Sequence, residues 1–181
     1  MAVAPVIHIG GWPGAGKRTI GQIVADRLGG RLIDNHLMLD AARALYARGT
    51  PGSVALREEV REVILSHARR LPADVPLILT DALADEPEAG PLFRPTVALA
   101  RDRTAPLLPF VLDLSLEENQ RRLTDPSRLG GAKLTDVDVL FSLRQKTGLY
   151  LPTGAVVLDV TTLSAEDVAE IICTRAAPSH A

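Results

Sequence analysis

Short apolar runs alternate along the chain with longer stretches whose apolar residues recur every three or four positions, a pattern that predicts strands and helices in turn. Val6-Ile7-His8-Ile9 predicts a buried strand ending at Gly10-Gly11. A helix beginning at Lys17 carries Ile20, Ile23, Val24 and Leu28 on one face, and Gly29-Gly30 stops it. Arg31-Leu32-Ile33 predicts a second, short strand running into Asp34-Asn35-His36. Two helices are expected over 37–49 and 53–71, broken by Gly49-Thr50-Pro51-Gly52. A third strand over 76–80 ends at Asp81, and a helix over roughly 91–103 leads to a fourth strand at 107–112. Pro109 within that run requires a strand start or an edge position, because proline donates no ladder hydrogen bond. Ser115-Leu116-Glu117-Glu118 forms a capping box for a helix that carries Arg121-Arg122 and ends near Asp125-Pro126. After a glycine-containing segment, 129–133, expected to be flexible, Thr135 caps a further helix through about 145. A fifth strand at 155–160 and a helix at 165–175 complete the pattern. Strands and helices interleaved in this way build βαβ units, so the prediction is one domain over 1–181: α/β, with a doubly wound, five-stranded parallel sheet.

With 46% apolar and 23% charged residues, the chain has the makeup of a soluble globular domain. Its 20 Lys+Arg are balanced by 22 Asp+Glu, which argues against nucleic acid as the main partner. No run approaches the ~18 apolar residues of a membrane helix, and the first residues lack a basic leader segment. No membrane partner is therefore expected, and the expected location is the cytoplasm. The single cysteine, Cys173, excludes an internal disulfide and sits in an apolar run as a structural thiol. Nothing in the pattern fixes an oligomeric state. Arginine outnumbers lysine 17 to three, so an arginine is informative only where a motif surrounds it.

Such a motif surrounds Lys17. Gly11-Trp12-Pro13-Gly14-Ala15-Gly16-Lys17-Arg18-Thr19 lies between the first strand and the first helix. Its glycines permit backbone conformations in which successive amides point at one anion, and the helix that follows offers its orphan N–H groups and dipole. Lys17 adds a point charge suited to terminal phosphates. The run matches the Walker A pattern up to the lysine, in the strand–loop–helix context that the pattern requires. Arg18 stands where a Mg²⁺-holding Ser or Thr is usual, which makes Thr19 the candidate contact to metal or phosphate.

Gly11, Pro13, Gly14, Gly16, Lys17 and Thr19 resemble the loop of adenylate-kinase-like P-loop kinases, Gly-x-Pro-Gly-x-Gly-Lys-Gly-Thr, with Arg18 replacing a glycine. A second resemblance, to shikimate and gluconate kinases, rests on Thr19-Ile20-Gly21 through Leu28-Gly29 and on Leu32-Ile33-Asp34-Asn35-His36. It extends to Leu158-Asp159-Val160-Thr161 and the following Leu163-Ser164-Ala165-Glu166-Asp167-Val168. In that group an Asp-x-Asp ends the second strand; Asp34 falls on the first acid, and His36 on the second, the contact to the substrate hydroxyl. These resemblances imply the P-loop NTPase fold with a helical lid over 116–146 and acceptor-side helices over 37–71. They also imply ATP and Mg²⁺ as cofactors and phosphoryl transfer to a hydroxyl or phosphate of a small-molecule acceptor. Where shikimate kinases carry glycines and an arginine after the third strand, this chain has Asp81-Ala82-Leu83-Ala84-Asp85-Glu86, which speaks against a carboxylate acceptor. The alternative is a nucleotide-binding P-loop protein without kinase chemistry.

The candidate nucleotide-binding residues are therefore Gly11, Trp12, Pro13, Gly14, Ala15, Gly16, Lys17, Arg18 and Thr19. Phosphoryl transfer asks a protein mainly for positioning and charge neutralisation. Asp34 is the candidate to accept the acceptor's proton, or else a helix cap. Asp81 resembles a Walker B acid reaching Mg²⁺ through water, or else serves a turn. His36 either contacts substrate or packs beneath the second helix, Trp12 faces nucleotide or the substrate-side helices, and His8 is read as a core residue. Arg122 and Arg128, ahead of Arg121 and Lys133, are the candidate lid cations, expected to lack partners until phosphate arrives.

Overall fold

A computed structural model describes residues 3–125, 134 and 136–177. The chain runs β1 (Val6–Gly11), α1 (Lys17–Leu28), β2 (Arg31–Asp34), α2 (His36–Arg43), α3 (Pro51–Ala68), β3 (Leu77–Thr80) and α4 (Ala89–Asp102). It continues through β4 (Leu107–Asp113), α5 (Leu116–Leu123), α6 (Val137–Lys146), β5 (Val156–Asp159) and α7 (Ala165–Ala176). The five strands form one parallel sheet in the order β2-β3-β1-β4-β5.

β1 is central and buried along its whole length, which explains its uninterrupted apolar character. Successive side chains of a strand point to opposite faces. Ile7 and Ile9 enter one core with Ile20 and Val24 of α1 and Val168 and Ile172 of α7. Val6 enters the other, with Leu65 of α3 and Leu99 of α4. His8 consequently faces the α4 layer, where its ring meets Phe93 edge-on at 4.8 Å. Pro109 belongs to an internal strand, but β5 joins β4 only from Phe110 onward, so the proline lies where β4 has a neighbour on one side.

Three predicted boundaries shift. The helix expected over 37–49 ends at Arg43, and 44–50 forms turns that lead to a new cap: Thr50 Oγ1 accepts from Ser53 N, with Pro51 opening α3. α6 is capped by Asp136, which accepts from Asp138 N and Val139 N; Thr135, the expected cap, lies outside the described residues. α3 ends at Ala68, short of the expected 71. Burial raises the Cys173 thiol pKa, as suits a structural cysteine. Among the described residues no helix is long and apolar enough to cross a membrane.

Candidate functional site

The loop between β1 and α1 is built by backbone geometry that its glycines permit. Gly11 has φ +144°, and a Cβ there would lie 2.5 Å from the Leu112 carbonyl oxygen. Gly14 has φ +91°, and its Cβ would lie 2.8 Å from Asn119 Nδ2. Gly16 takes the left-handed conformation as the N-cap of α1. The Lys17 ammonium donates to the carbonyls of Gly11 (2.7 Å) and Trp12 (2.8 Å), holding the lysine against its own loop.

Beneath the loop lies a support that the sequence reading missed. Asn119 of α5 is fully buried, donates from Nδ2 to the Pro13 carbonyl (2.7 Å) and accepts from the Arg144 guanidinium (3.0 Å). Arg144 also donates to the Leu114 carbonyl and stacks over the Trp12 ring at 4.7 Å. Trp12 is only 5% exposed and donates Nε1–H to Asp113 Oδ1 (3.0 Å). Its ring thus packs against the β4 end and α6 and is not among the residues that line the cleft described below.

The strand ends supply two acids. Asp34, at the end of β2, is 7% exposed; its Oδ1 accepts the Thr80 hydroxyl (2.7 Å) and the His36 amide (3.4 Å). Arg18 Nε stands 3.3 Å from Asp34 Oδ2, a charge contact without hydrogen-bond alignment. The residue that replaces the motif's glycine thus partners the candidate base. Asp34 thus also holds the first amide of α2, although the N-cap residue of that helix is Asn35. Asp81 points to the opposite side of β3, where His8 Nε2 meets Asp81 Oδ2 at 2.8 Å. His8, 2% exposed, is a core residue as expected, but it also holds a candidate site acid, and its Nδ1 has no hydrogen-bond partner. Asp81 Oδ1 is buried and likewise without one.

Both acids and the loop face one cleft of about 270 Å³. Gly14, Gly16, Lys17, Arg18 and Thr19 line one wall, and Asp34, His36 and Asp81 lie at the strand ends. The far wall comes from α2, α3 and their connection, and it is basic: Arg43, Arg48 and Arg57 line it. Asp85 and Glu86 are exposed and not part of this lining. The backbone of 84–86 turns away to pair with 148–149, through an Ala84–Leu149 bridge and Asp85 N bonded to the Gly148 carbonyl. The electrostatic objection to an anionic acceptor drawn from those carboxylates therefore does not hold in three dimensions.

The lid candidates divide. Leu134, between α5 and α6, lines the cleft. Arg128 and Lys133 lie outside the described residues. Arg121 and Arg122 are not short of partners: both donate to Glu118, whose carboxyl they hold down to about 2. Arg122 additionally donates to the Val160 carbonyl (2.7 Å), so in this state it ties α5 to the loop after β5 and does not line the cleft. The i,i+3 and i,i+4 spacing of Glu118 to these arginines was visible in the sequence and signals this pairing.

No family model matches the chain, and no curated protein matches it in sequence. Solved structures do share its fold over nearly the full length. A gluconokinase from Sinorhizobium meliloti 1021 superposes with a TM-score of 0.62 at 14% identity, covering 97% of this chain and 93% of that one. A sugar kinase from Janibacter sp. HTCC2649 gives 0.59 at 23% identity, with 94% and 93% covered. The Mycobacterium tuberculosis APS kinase, solved with AMPPNP and APS, gives 0.61 at 15% identity, with 96% and 98% covered. The fold is that of the P-loop kinases.

Proposed function

We propose that the protein is an ATP-dependent phosphotransferase acting on a small molecule. The observation that carries this reading is the meeting of the phosphate loop and both strand-end acids across one cleft. In open α/β sheets the ligand crevice lies at the carboxyl ends of the strands, and here those ends hold Asp34 and Asp81. Triphosphate would lie on the amides of 11–19, with Lys17 releasing its loop carbonyls to reach the terminal phosphates. Asn119 and Arg144 hold that loop in shape before the nucleotide arrives, so little ordering remains to be done on binding. Asp34 receives the acceptor's hydroxyl hydrogen bond and its proton, oriented by Thr80.

Residues suited to Mg²⁺ are present: the unpartnered Asp81 Oδ1 and the Thr19 hydroxyl line the same cleft. When bound with the triphosphate, the ion supplies charge neutralisation at the transferring group. His8 orients Asp81 by engaging its other oxygen.

A nucleotide-binding protein without transfer chemistry is the second reading, and Arg18 favours it, because its guanidinium stands against the carboxylate that transfer would use. Calorimetry with AMPPNP and Mg²⁺, followed by ADP release over a panel of acceptor alcohols and nucleoside monophosphates, separates the two. Lys17→Ala should weaken nucleotide binding by at least tenfold with the thermal melt unchanged; unaltered affinity refutes the phosphate-loop assignment. Lys17-dependent binding without turnover of any acceptor supports the second reading.

A further inference from the structure

Arg18 stands where the kinases that the chain resembles carry a glycine, so its side chain belongs to this protein and not to the motif. That side chain is 63% exposed, yet its Nε lies 3.3 Å from Asp34 Oδ2, which is buried and has no hydrogen-bond donor. The other oxygen of Asp34 is engaged: Oδ1 accepts the Thr80 hydroxyl and the His36 amide. Oδ2 is therefore the oxygen left for a reacting hydroxyl, and the Arg18 guanidinium occupies the place where that hydroxyl would have to stand. An exposed ion pair is worth little, and this one also lacks hydrogen-bond alignment, so it yields readily to a stronger partner.

A triphosphate is such a partner. Arg18 follows Lys17 in the first turn of α1, and both line the cleft. An anion on the amides of this helix start lies beside the root of the Arg18 side chain. For transfer, the γ-phosphorus must lie between the loop and the acceptor oxygen, and that oxygen must lie against Asp34 Oδ2. Arg18 spans the same interval, with its root on α1 and its charged end at the end of β2. A guanidinium displaced from Oδ2 thus has the γ-phosphate as its neighbouring anion, whose oxygens accept aligned, charge-assisted bonds. We infer that Arg18 is a catalytic residue that exchanges partners: without nucleotide it covers Asp34 Oδ2, and with triphosphate bound it moves onto the γ-phosphate and uncovers the acid. In the step itself the acceptor oxygen forms its bond to the γ-phosphorus, the bond from that phosphorus to the bridging oxygen of ADP breaks, and the acceptor's proton passes to Asp34 Oδ2. Arg18 makes and breaks no covalent bond and supplies only charge at the transferring group. Its role in transfer rests on the phosphotransferase reading; the exchange of partners requires only that triphosphate binds the loop between β1 and α1.

The test compares AMPPNP, which has a γ-phosphate, with ADP, which has none. Isothermal titrations are run with Mg²⁺ at about 0.15 M salt, which screens distant charges. Arg18→Gln should weaken AMPPNP about 10–100-fold, the loss expected for a charge-assisted hydrogen bond, and ADP less than about twofold. Arg18→Lys should recover part of the loss, and thermal melts establish that both variants are folded. ADP release is then followed with the most active member of the acceptor panel, or with water where no acceptor is active. Its kcat should fall at least tenfold in Arg18→Gln, while the KM of an active acceptor does not rise, because the cation covering Oδ2 is gone. Affinities for AMPPNP and ADP that are both unchanged, or that fall alike, overturn the proposal, since Arg18 then stays on Asp34 or serves the inner phosphates. An undiminished kcat overturns it as well. Lys17→Ala separates these failures from failure of the nucleotide site: where that site is sound, it weakens AMPPNP whatever Arg18 does. A loss confined to AMPPNP, with no turnover of any acceptor or of water, upholds the exchange of partners and removes only the transfer role.

Discussion

Replacing Asn119 with alanine tests whether the loop between β1 and α1 is held from beneath. The side chain is fully buried and makes two bonds that the methyl group cannot replace, to the Pro13 carbonyl at 2.7 Å and from Arg144 at 3.0 Å. A neutral bond is worth about 0.5–1.5 kcal/mol net and one to a charged group about 1.5–3, so the expected loss is about 2–4.5 kcal/mol. For a chain of this size each kcal/mol moves Tm by about 2–4 °C, which predicts a fall of about 4–18 °C. The loop also loses its anchor, so AMPPNP should bind about tenfold more weakly, equivalent to about 1.4 kcal/mol. Differential scanning calorimetry without nucleotide and isothermal titration with it give the two numbers. Asn119→Asp apportions them: it keeps an acceptor for Arg144 but sets a carboxylate oxygen against the Pro13 carbonyl, so its nucleotide affinity should fall at least as far as in Asn119→Ala. A Tm within about 2 °C of the wild type, together with unchanged affinity, refutes the support role.

Asp34→Asn retains an oxygen for the Thr80 hydroxyl and the His36 amide while removing charge and basicity. Turnover should fall about 10²–10⁴-fold with AMPPNP affinity within a few-fold, and a loss below tenfold would leave Asp34 a structural cap only. Hydrogen bonds from Arg121 and Arg122 hold the Glu118 carboxyl down from 4.5 to about 2. Because the folded value lies below the unfolded one, the stabilisation is present above pH 4.5 and is lost as pH falls toward about 2. The stability difference between wild type and Glu118→Gln should therefore shrink through that window in urea titrations at stepped pH; a difference that does not vary with pH contradicts the pairing.

Features encoded by near neighbours were legible from the chain alone. The strand, glycine loop and helix of 6–28 are specified by apolar runs, glycines and a lysine within a few positions of each other, and they stand where the pattern put them. The Ser115 oxygen caps α5 as expected, accepting from Glu118 N, but the other half of the capping box does not form: Ser115 N donates to Thr161 Oγ1, and the Glu118 carboxylate is taken by Arg121 and Arg122. Local signals failed where two of them competed, as at Thr50-Pro51, where a cap and an N1 proline start α3 ahead of the break that glycines suggested. The i,i+4 spacing that gives Arg122 to Glu118 was equally local, although the resemblance to kinases with a lid pointed Arg122 at phosphate instead.

The assembly of the site was decided by the tertiary structure. The strand order β2-β3-β1-β4-β5 brings His8 to Asp81 across 73 positions, Asn119 to Pro13 across 106 and Thr80 to Asp34 across 46. The fold also sets Arg57 in the same cleft as the loop between β1 and α1, although nothing around Arg57 in the sequence marks it among 17 arginines. Periodicity and turn chemistry act over a few residues, because they reflect backbone sterics and one element's exposed or buried face. Which side chains meet at a sheet's edge depends instead on which strands become neighbours and which face each residue takes, and that choice is made by the packing of the whole core.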